Sequence, residues 1–406
     1  MSISRRQFLV GATALGSAGV MGSSRYGLAF GSSFVATDGE SAWGMDAPLL
    51  TLKDAAYSSG ILVGCAVTAV HLDTIPEYAE LVRAQANIVV AENAFNYGSV
   101  RPTLKAGYNF KAADAIADYA HTNSLKLRGH SLVWHQQLPA GFATAITARN
   151  AEAVMTTHIG VMAGRFAGHI HSWDVVNEAV APEDGRADGL RNSVWLQLMG
   201  PGYIATAFRA ARKEDPKALL FYNEGGIEGE DAASAKKREA VLTLLRGLLE
   251  KDVPIDGLGI QSHLTAGQTY GPGVRNLIQQ AHAMGLRVML TELDVDDRAY
   301  ASAADVRDEA VANTYSQYLK AALADGYVTG VLTWGVTDKA SWLNREKARP
   351  DGAAERPLPF DTQMNPKAAF VAQRRALSQA PRVVPVLRPR TQVLVEMASV
   401  GATVGR

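Results

Sequence analysis

The chain has 406 residues, 47% hydrophobic and 20% charged, which is enough apolar material for a large folded core and excludes a disordered tether. Forty basic residues balance forty acidic ones, so no global field favours nucleic acid or an anionic membrane as partner. The single cysteine, Cys65, excludes an intrachain disulfide and lies in the apolar run ILVGCAV, where it is a small core residue.

Residues 1–30 open with SRRQFLVGATALGSAGVMG, in which Arg5 and Arg6 precede a moderately apolar, Gly/Ala-rich stretch. The stretch is too short and too weakly apolar for a membrane span. It resembles a twin-arginine export signal, which implies a periplasmic or secreted protein with no membrane span in its mature form. A frayed basic terminus is the alternative, and the small residues of AFG and FVA leave the cleavage position open.

From residue 49 the chain alternates short apolar runs with amphipathic stretches. The runs are ILVGCAVT, ANIVVAEN, LKLRGHSLVW, HSWDVVNE, ALLFYNE, DGLGIQSH, RVMLTELDV and GVLTWGVTD. Each has the length of a buried strand. Helical segments such as NFKAADAIADYAHTN, GYIATAFRAARKED and DEAVANTYSQYLKAALADG lie between them. The last presents Val311, Tyr315, Tyr318 and Leu319 on one face and stops at Asp325-Gly326. Strands alternating with helices pair in parallel, and eight such units predict an α/β chain folded as one (β/α)₈ barrel over residues 49–377. No glycine-rich phosphate loop follows the first run, which argues against dinucleotide binding. After residue 377 the alternation breaks, and residues 378–406 admit three readings: an added strand, a tether or a disordered tail.

Nearly every run ends in polar or aromatic residues: Glu92-Asn93, His130 with Trp134, Asn177-Glu178, Asn223-Glu224, Gln261 with His263, Glu292 with Asp294, and Trp334. A (β/α)₈ barrel gathers those strand ends on one face. Carboxylates and amides that bond hydroxyls, beside indoles that stack on sugar rings, describe a carbohydrate cleft. Glycosidic cleavage needs one carboxyl as proton donor and a second as nucleophile or base. Glu178 and Glu292, each closing an apolar strand, are the candidates. Asn177 can bond the sugar 2-hydroxyl beside Glu178. Asp294 falls on the same side of the chain as Glu292, and His263 can bridge the two and keep Glu292 ionised. A metal held by His263, Glu292 and Asp294 is the competing arrangement, with no helix-based His-x-x-x-His spacing to support it.

At these residues the chain resembles glycoside hydrolase family 10, the retaining endo-β-1,4-xylanases. The matching stretches run in order from GCAV through AEN, RGHSLVWHQQLP, WDVVNEA, YNE, GIQSH, TELDV and TWGVTDKASWL to PLPFD and NPKAAF. The resemblance implies that Glu178 is the acid/base and Glu292 the nucleophile, with carboxyl groups about 5–5.5 Å apart. It places His130, Trp134, Gln137, Asn177, Gln261, His263, Trp334 and Trp342 around the scissile bond, and Glu92 and Asn93 on the non-reducing side. It implies a monomer acting on a xylan-type polysaccharide or oligosaccharide, with neither cofactor nor essential metal.

Two stretches depart from the family pattern. ENAFNY puts Asn96 where the family carries a lysine that holds a sugar hydroxyl, and Tyr97 where it carries a tryptophan. YNEGGIEG puts Gly225 and Gly226 in place of a tyrosine and an asparagine on the leaving-group side. Both strip side chains from flanking subsites and leave the carboxyl pair alone. The expectation is a retaining endo-xylanase with an altered grip on linear xylan. A β-1,4-glucanase or other retaining glycosidase on the same barrel, and a non-catalytic carbohydrate-binding protein, are the alternatives.

Overall fold

Among the described residues nine strands, all pairing in parallel, organise the fold: β1 Leu62–Val67, β2 Ile88–Ala91, β3 Lys126–Val133, β4 Ser172–Asn177, β5 Leu219–Glu224, β6 Gly257–Ile260, β7 His263–Thr265, β8 Arg287–Asp296 and β9 Val328–Thr333. β1 bonds to β9 and β6 bonds to β8, so eight strands close on themselves as the predicted (β/α)₈ barrel. β7 stands outside that closure and pairs only with the far end of β8, His263 facing Asp294. This is a computed structural model that describes residues 50–300 and 303–386. The expected export signal and residues 387–406 lie outside the described residues.

The runs form strands because both faces of each are covered, by the barrel interior on one side and the helices on the other. Ala66, Ile88, Val90, Phe221, Met289 and Leu332 fill the interior, and Trp334 lies over them at the mouth. Gly257 is small because a methyl there would come within 2.3 Å of the Phe221 ring. Arg128 on β3 is fully buried in this apolar filling. It pairs with Asp174 of β4, bonds Ser172 Oγ at 2.9 Å and lies over the Phe221 ring at 4.6 Å. A buried charge is tolerated only when paired and bonded in this way.

In the outer layer, helix Ala304–Ala322 buries Val311, Tyr315, Tyr318 and Leu319 fully, the face its periodicity predicts, and packs against helix Ala368–Gln379. That last helix runs two residues past the expected boundary at 377. The next residues are extended and docked: Val383 N–H donates to Ser59 O at 2.8 Å and Val384 N–H to Gly326 O at 2.8 Å. No helix among the described residues is long and apolar enough to cross a membrane.

Candidate active site

The strand ends at the barrel mouth turn sharply. Gln137, Glu178 and Ser262 have φ of +47°, +55° and +69°, a left-handed conformation costing a non-glycine residue about 1–2 kcal/mol. Such strain persists only where surroundings impose it. Glu178 N–H donates to Asn223 O at 2.9 Å, and Arg191 Nε donates to Glu178 O at 2.7 Å. Ser262 N–H donates to Glu228 Oε1 at 2.8 Å, and its hydroxyl bonds Tyr318 at 2.7 Å. The turn at Ser262 splits the run DGLGIQSH in two. His263 therefore belongs to β7 and faces β8.

Glu292 on β8 is buried and held by two neighbours. Asn223 Nδ2 donates to Oε1 at 2.7 Å, and His263 Nε2 lies 3.1 Å from Oε2. The other nitrogen of His263 lies 2.8 Å from Asp294 Oδ1, and Trp342 Nε1 donates to Asp294 Oδ2 at 2.7 Å. Burial works against charging the His263 ring, but Asp294 and Glu292 outweigh it and hold the ring well above the usual histidine range. The imidazolium thus stands between two carboxylates. Both its nitrogens are committed to them, and no group of three or more His, Cys, Asp or Glu among the described residues is arranged to hold a metal. His130 Nδ1 lies 3.0 Å from Asp174 Oδ2 and 3.9 Å from Glu292 Oε1. Burial lowers its pKa, but Glu292 and Asp174 raise it further, for a net upward shift.

Glu178 meets a different set of groups. Gln261 Nε2 donates to Oε1 at 2.8 Å and Trp134 Nε1 to Oε2 at 3.0 Å, with His135 Nδ1 at 3.9 Å. Burial pushes its pKa up. The bonds from Gln261 and Trp134 and the neighbouring His135 and Arg191 outweigh burial, so the free carboxyl lies below its ordinary value. Amides connect the two carboxyls: Asn223 Nδ2 reaches Asn177 Oδ1 at 3.0 Å as well as Glu292, and Gln261 Nε2 reaches Asn177 Oδ1 at 3.4 Å as well as Glu178. The Asn177 amide turned over would accept from Trp134 Nε1 at 3.3 Å and donate to Asn223 O at 3.3 Å, but would face the Asn223 amino group with its own at 3.0 Å. Thr291 donates to Asn223 Oδ1 at 2.7 Å and fixes that amino group, so Asn177 presents its oxygen there.

Of the two residues that the resemblance sets on the non-reducing side, Glu92 is buried and Asn93 exposed. Arg345 Nη2 donates to Glu92 Oε1 at 2.6 Å and Asn93 Nδ2 to the same oxygen at 3.1 Å, while Gln137 Nε2 donates to Asn93 Oδ1 at 2.7 Å. Burial raises the Glu92 pKa and Arg345 opposes it. Asn96, in the lysine position, is buried. It accepts from Ser131 N–H at 3.1 Å and donates to Gln137 Oε1 at 3.2 Å, bracing the end of β3. Tyr97 is buried too, its ring stacked 3.7 Å from His158. Trp334 is wedged between His130 and His263, with ring centroids 5.3 and 6.2 Å away, and Lys347 lies 4.9 Å over the Trp342 ring.

Gly225 and Gly226 are the positions that the resemblance sets on the leaving-group side. Gly225 leaves no gap, because the Gln261 carboxamide fills the space a side chain would take; a methyl at Gly225 would lie 2.0 Å from Gln261 Oε1. Gly226 faces Lys237, whose Nζ a methyl there would approach at 3.7 Å. Lys237 bonds buried Glu224 at 2.9 Å. Sequence reasoning singled out neither this ion pair nor Arg345, Arg191 and His135; of these only Glu224, as a strand-end carboxylate, left a signal. It noted Asn223 at the end of β5, but not its contact with Glu292.

On the loop beyond Trp342, Glu355 is fully buried, and its nearest cation is Arg298 Nε at 3.6 Å. Burial, with Asp296 and Asp297 close by, pushes its pKa from 4.5 up to about 8. Folding therefore takes up a proton between those values, and stability contributed by the neutral carboxyl is lost as pH rises through about 8. Glu355→Gln should flatten the decline of Tm with pH across that window and leave Tm near pH 4 unchanged. Parallel Tm–pH curves for the two proteins would refute the assignment.

Comparison with known proteins completes the description of the site. Residues 51–376 match the sequence model of glycosyl hydrolase family 10. A β-1,4-xylanase of Dictyoglomus thermophilum is 35% identical over 339 residues, covering 82% of this chain and 92% of that protein. Endo-1,4-β-xylanase B of Paenibacillus barcinonensis is 32% identical over 338 residues, covering 78% and 95%. Among solved structures, native xylanase 10B of Thermotoga maritima superposes with a TM-score of 0.72 at 32% identity, covering 81% of this chain and 98% of that one. Xylanase 10B of Thermotoga petrophila RKU-1, solved in complex with xylobiose, gives 0.73 at 30% identity, covering 82% and 98%.

Proposed function

The chain belongs to glycosyl hydrolase family 10, and from that premise we propose that it is a retaining endo-hydrolase of β-1,4-xylosidic bonds in xylan or xylo-oligosaccharides. The observation that carries this is the pair of differently served carboxyls. Glu292 is held beside an imidazolium and an amide donor, and Glu178 stands across the Asn177–Asn223–Gln261 bridge. In the first step a Glu292 oxygen attacks the anomeric carbon as the C1–O bond breaks, and the Glu178 proton passes to the leaving oxygen. In the second step water gives a proton to Glu178 while its oxygen attacks C1 and releases Glu292.

The donors on the free Glu178 carboxyl favour its charged form, so the proton it gives is taken up from solvent as the sugar binds. The Glu178 side chain is 21% exposed, and covering it with substrate removes the water that favours the charged form. Ester formation at Glu292 then removes a negative charge from the same cleft, and His263 stays behind as a cation. Both favour ionised Glu178 for the second step. His263 and Asp294 support the nucleophile, and Asn177 is the donor for the 2-hydroxyl. Trp334, between the His130 and His263 rings, and Trp342, bonded to Asp294, offer indole faces on the Glu292 side for a sugar ring to stack on. The Arg5–Arg6 signature supports twin-arginine export to the periplasm or beyond, and the barrel acts as a monomer.

Proton NMR of xylo-oligosaccharide hydrolysis should show the β-anomer released first and then mutarotating; initial α-anomer would overturn the assignment of Glu292 as nucleophile. The uncharged Asn96 should raise KM on unsubstituted xylan more than it lowers kcat, and KM should fall on branched chains. A lower KM on linear than on branched xylan would count against the altered subsites.

A further inference from the structure

Both side-chain donors on Glu92 go to the same oxygen. Arg345 Nη2 reaches Oε1 at 2.6 Å and Asn93 Nδ2 reaches it at 3.1 Å. No donor among the described residues reaches Oε2, although the Glu92 side chain is only 8% exposed. A nearly buried carboxylate oxygen without a protein partner is an acceptor left for something that binds there. Asn96, which stands where the family pattern has a lysine, brings no charge to this side. Its amide is spent on Ser131 N–H and Gln137 Oε1. The positive charge on Glu92 comes from the loop after β9.

That charge has a rigid support. Arg345 lies on the short helix Leu343–Glu346, and its N–H donates to Trp342 O at 2.9 Å. Asn344 pins the same turn: its amide donates to Asp338 O at 3.2 Å and its oxygen accepts from Glu355 N–H at 2.6 Å. Trp342 is tied in turn to Asp294 beside Glu292. Glu92 follows β2, and β1 lies between β2 and β9 in the barrel, so the Arg345 side chain crosses the end of β1 to meet it. The guanidinium end is not enclosed, since the side chain is 50% exposed and Nη1 stands 3.5 Å from Ala340 O.

We propose that Arg345 is a positioning residue for the non-reducing side: clamped on one oxygen of Glu92, it keeps the carboxylate charged and aims the other oxygen at a hydroxyl of the second sugar from the cleaved bond. The inference rests on the family reading that sets Glu92 against sugars of that side. Burial drives Glu92 toward its neutral form and Glu346 adds to this, while Arg345 opposes both. Tyr78 of helix Pro76–Gln85 also faces Glu92, and His71 of helix Ala69–Thr74 and Lys339 face Arg345. Without Arg345 the carboxyl keeps its proton to higher pH, and a neutral carboxyl is the weaker acceptor for a sugar hydroxyl.

The test compares full-length Arg345→Met, Arg345→Lys and Glu92→Gln with the parent protein. The rate constant kcat/KM is followed against pH on 2,4-dinitrophenyl β-xyloside and on the corresponding β-xylobioside. Their ratio measures what the second sugar contributes, and the pH dependence of the carboxyl pair that both substrates share cancels from it. In Arg345→Met the ratio should fall roughly 10-fold, the size of one hydrogen bond to a charged group. Its decline toward acid should also begin at higher pH than in the parent. Arg345→Lys, which keeps the charge, should recover part of both. An unchanged ratio or an unmoved acid limb in Arg345→Met would overturn the proposal, as would a lysine no better than methionine. Glu92→Gln separates the two layers. If it leaves the ratio intact, the second sugar does not meet Glu92 and the family-based placement falls. A loss in Glu92→Gln with none in Arg345→Met refutes the role of Arg345 alone.

Discussion

Glu292→Ala is expected to lower kcat/KM on xylo-oligosaccharides by about 10⁴-fold or more, a loss of the size seen when a covalent nucleophile is removed. The reason lies in its surroundings. Asn223 Nδ2 at 2.7 Å and His263 Nε2 at 3.1 Å hold the carboxylate in place and stabilise its charge, and neither neighbour has a carboxylate to offer the anomeric carbon. The variant should fold, because the His263–Asp294 pair at 2.8 Å and the Asp294–Trp342 bond at 2.7 Å do not need Glu292. Sodium azide should restore turnover of an activated aryl xyloside by entering the vacated space, and it should yield the α-glycosyl azide. The same anion supplied to Glu178→Ala should attack the glycosyl-enzyme from the opposite face and yield the β-glycosyl azide. Product configuration by NMR decides the matter; a β-azide from Glu292→Ala would place the nucleophile elsewhere.

The second large effect concerns the core beneath the site. Asp174→Ala should destabilise the fold by about 3–5 kcal/mol, the usual consequence of stranding a buried charge. Arg128 would be left fully buried with a serine hydroxyl, a methionine sulfur and an aromatic face for company. His130 would also lose its partner at 3.0 Å, so its ring would no longer be fixed beside Glu292 and kcat should fall along with stability. Arg128→Met in the same background removes the stranded cation and should recover part of the stability but none of the activity. Urea unfolding and steady-state kinetics on the three proteins measure both. Strict additivity of the two substitutions would show that the pair is not coupled.

The barrel was legible in the sequence because its strands are buried on both faces, which leaves a recognisable apolar run for each. Glu178 and Glu292 were legible for the opposite reason: a carboxylate at the end of such a run needs a cause. The remaining details depend on contacts between distant residues. Nothing in GIQSH announces that Ser262 turns left-handed and hands His263 to a separate strand. Arg345 reaches Glu92 across 253 positions of sequence, and no local pattern encodes that pairing. Gly225 was legible as a missing side chain, but the occupant of the space, Gln261, comes from the residue just after the next barrel strand. Sequence thus located the departure, and only packing showed that it borders Gln261, which bonds Glu178.

The docked segment after the last helix has a bearing on how the barrel assembles. The β1–β9 pairing joins opposite ends of the described chain, with Thr333 and Gly64 bonded across 269 positions. Contacts that distant are slow to find, because the loop must close before they return any free energy. Val383 and Val384 grip Ser59, just ahead of β1, and Gly326, just ahead of β9, so the segment straddles this seam as a clasp. Fraying of the chain just ahead of β1 would therefore also cost the bond from Val383 to Ser59, so the seam and the clasp support one another.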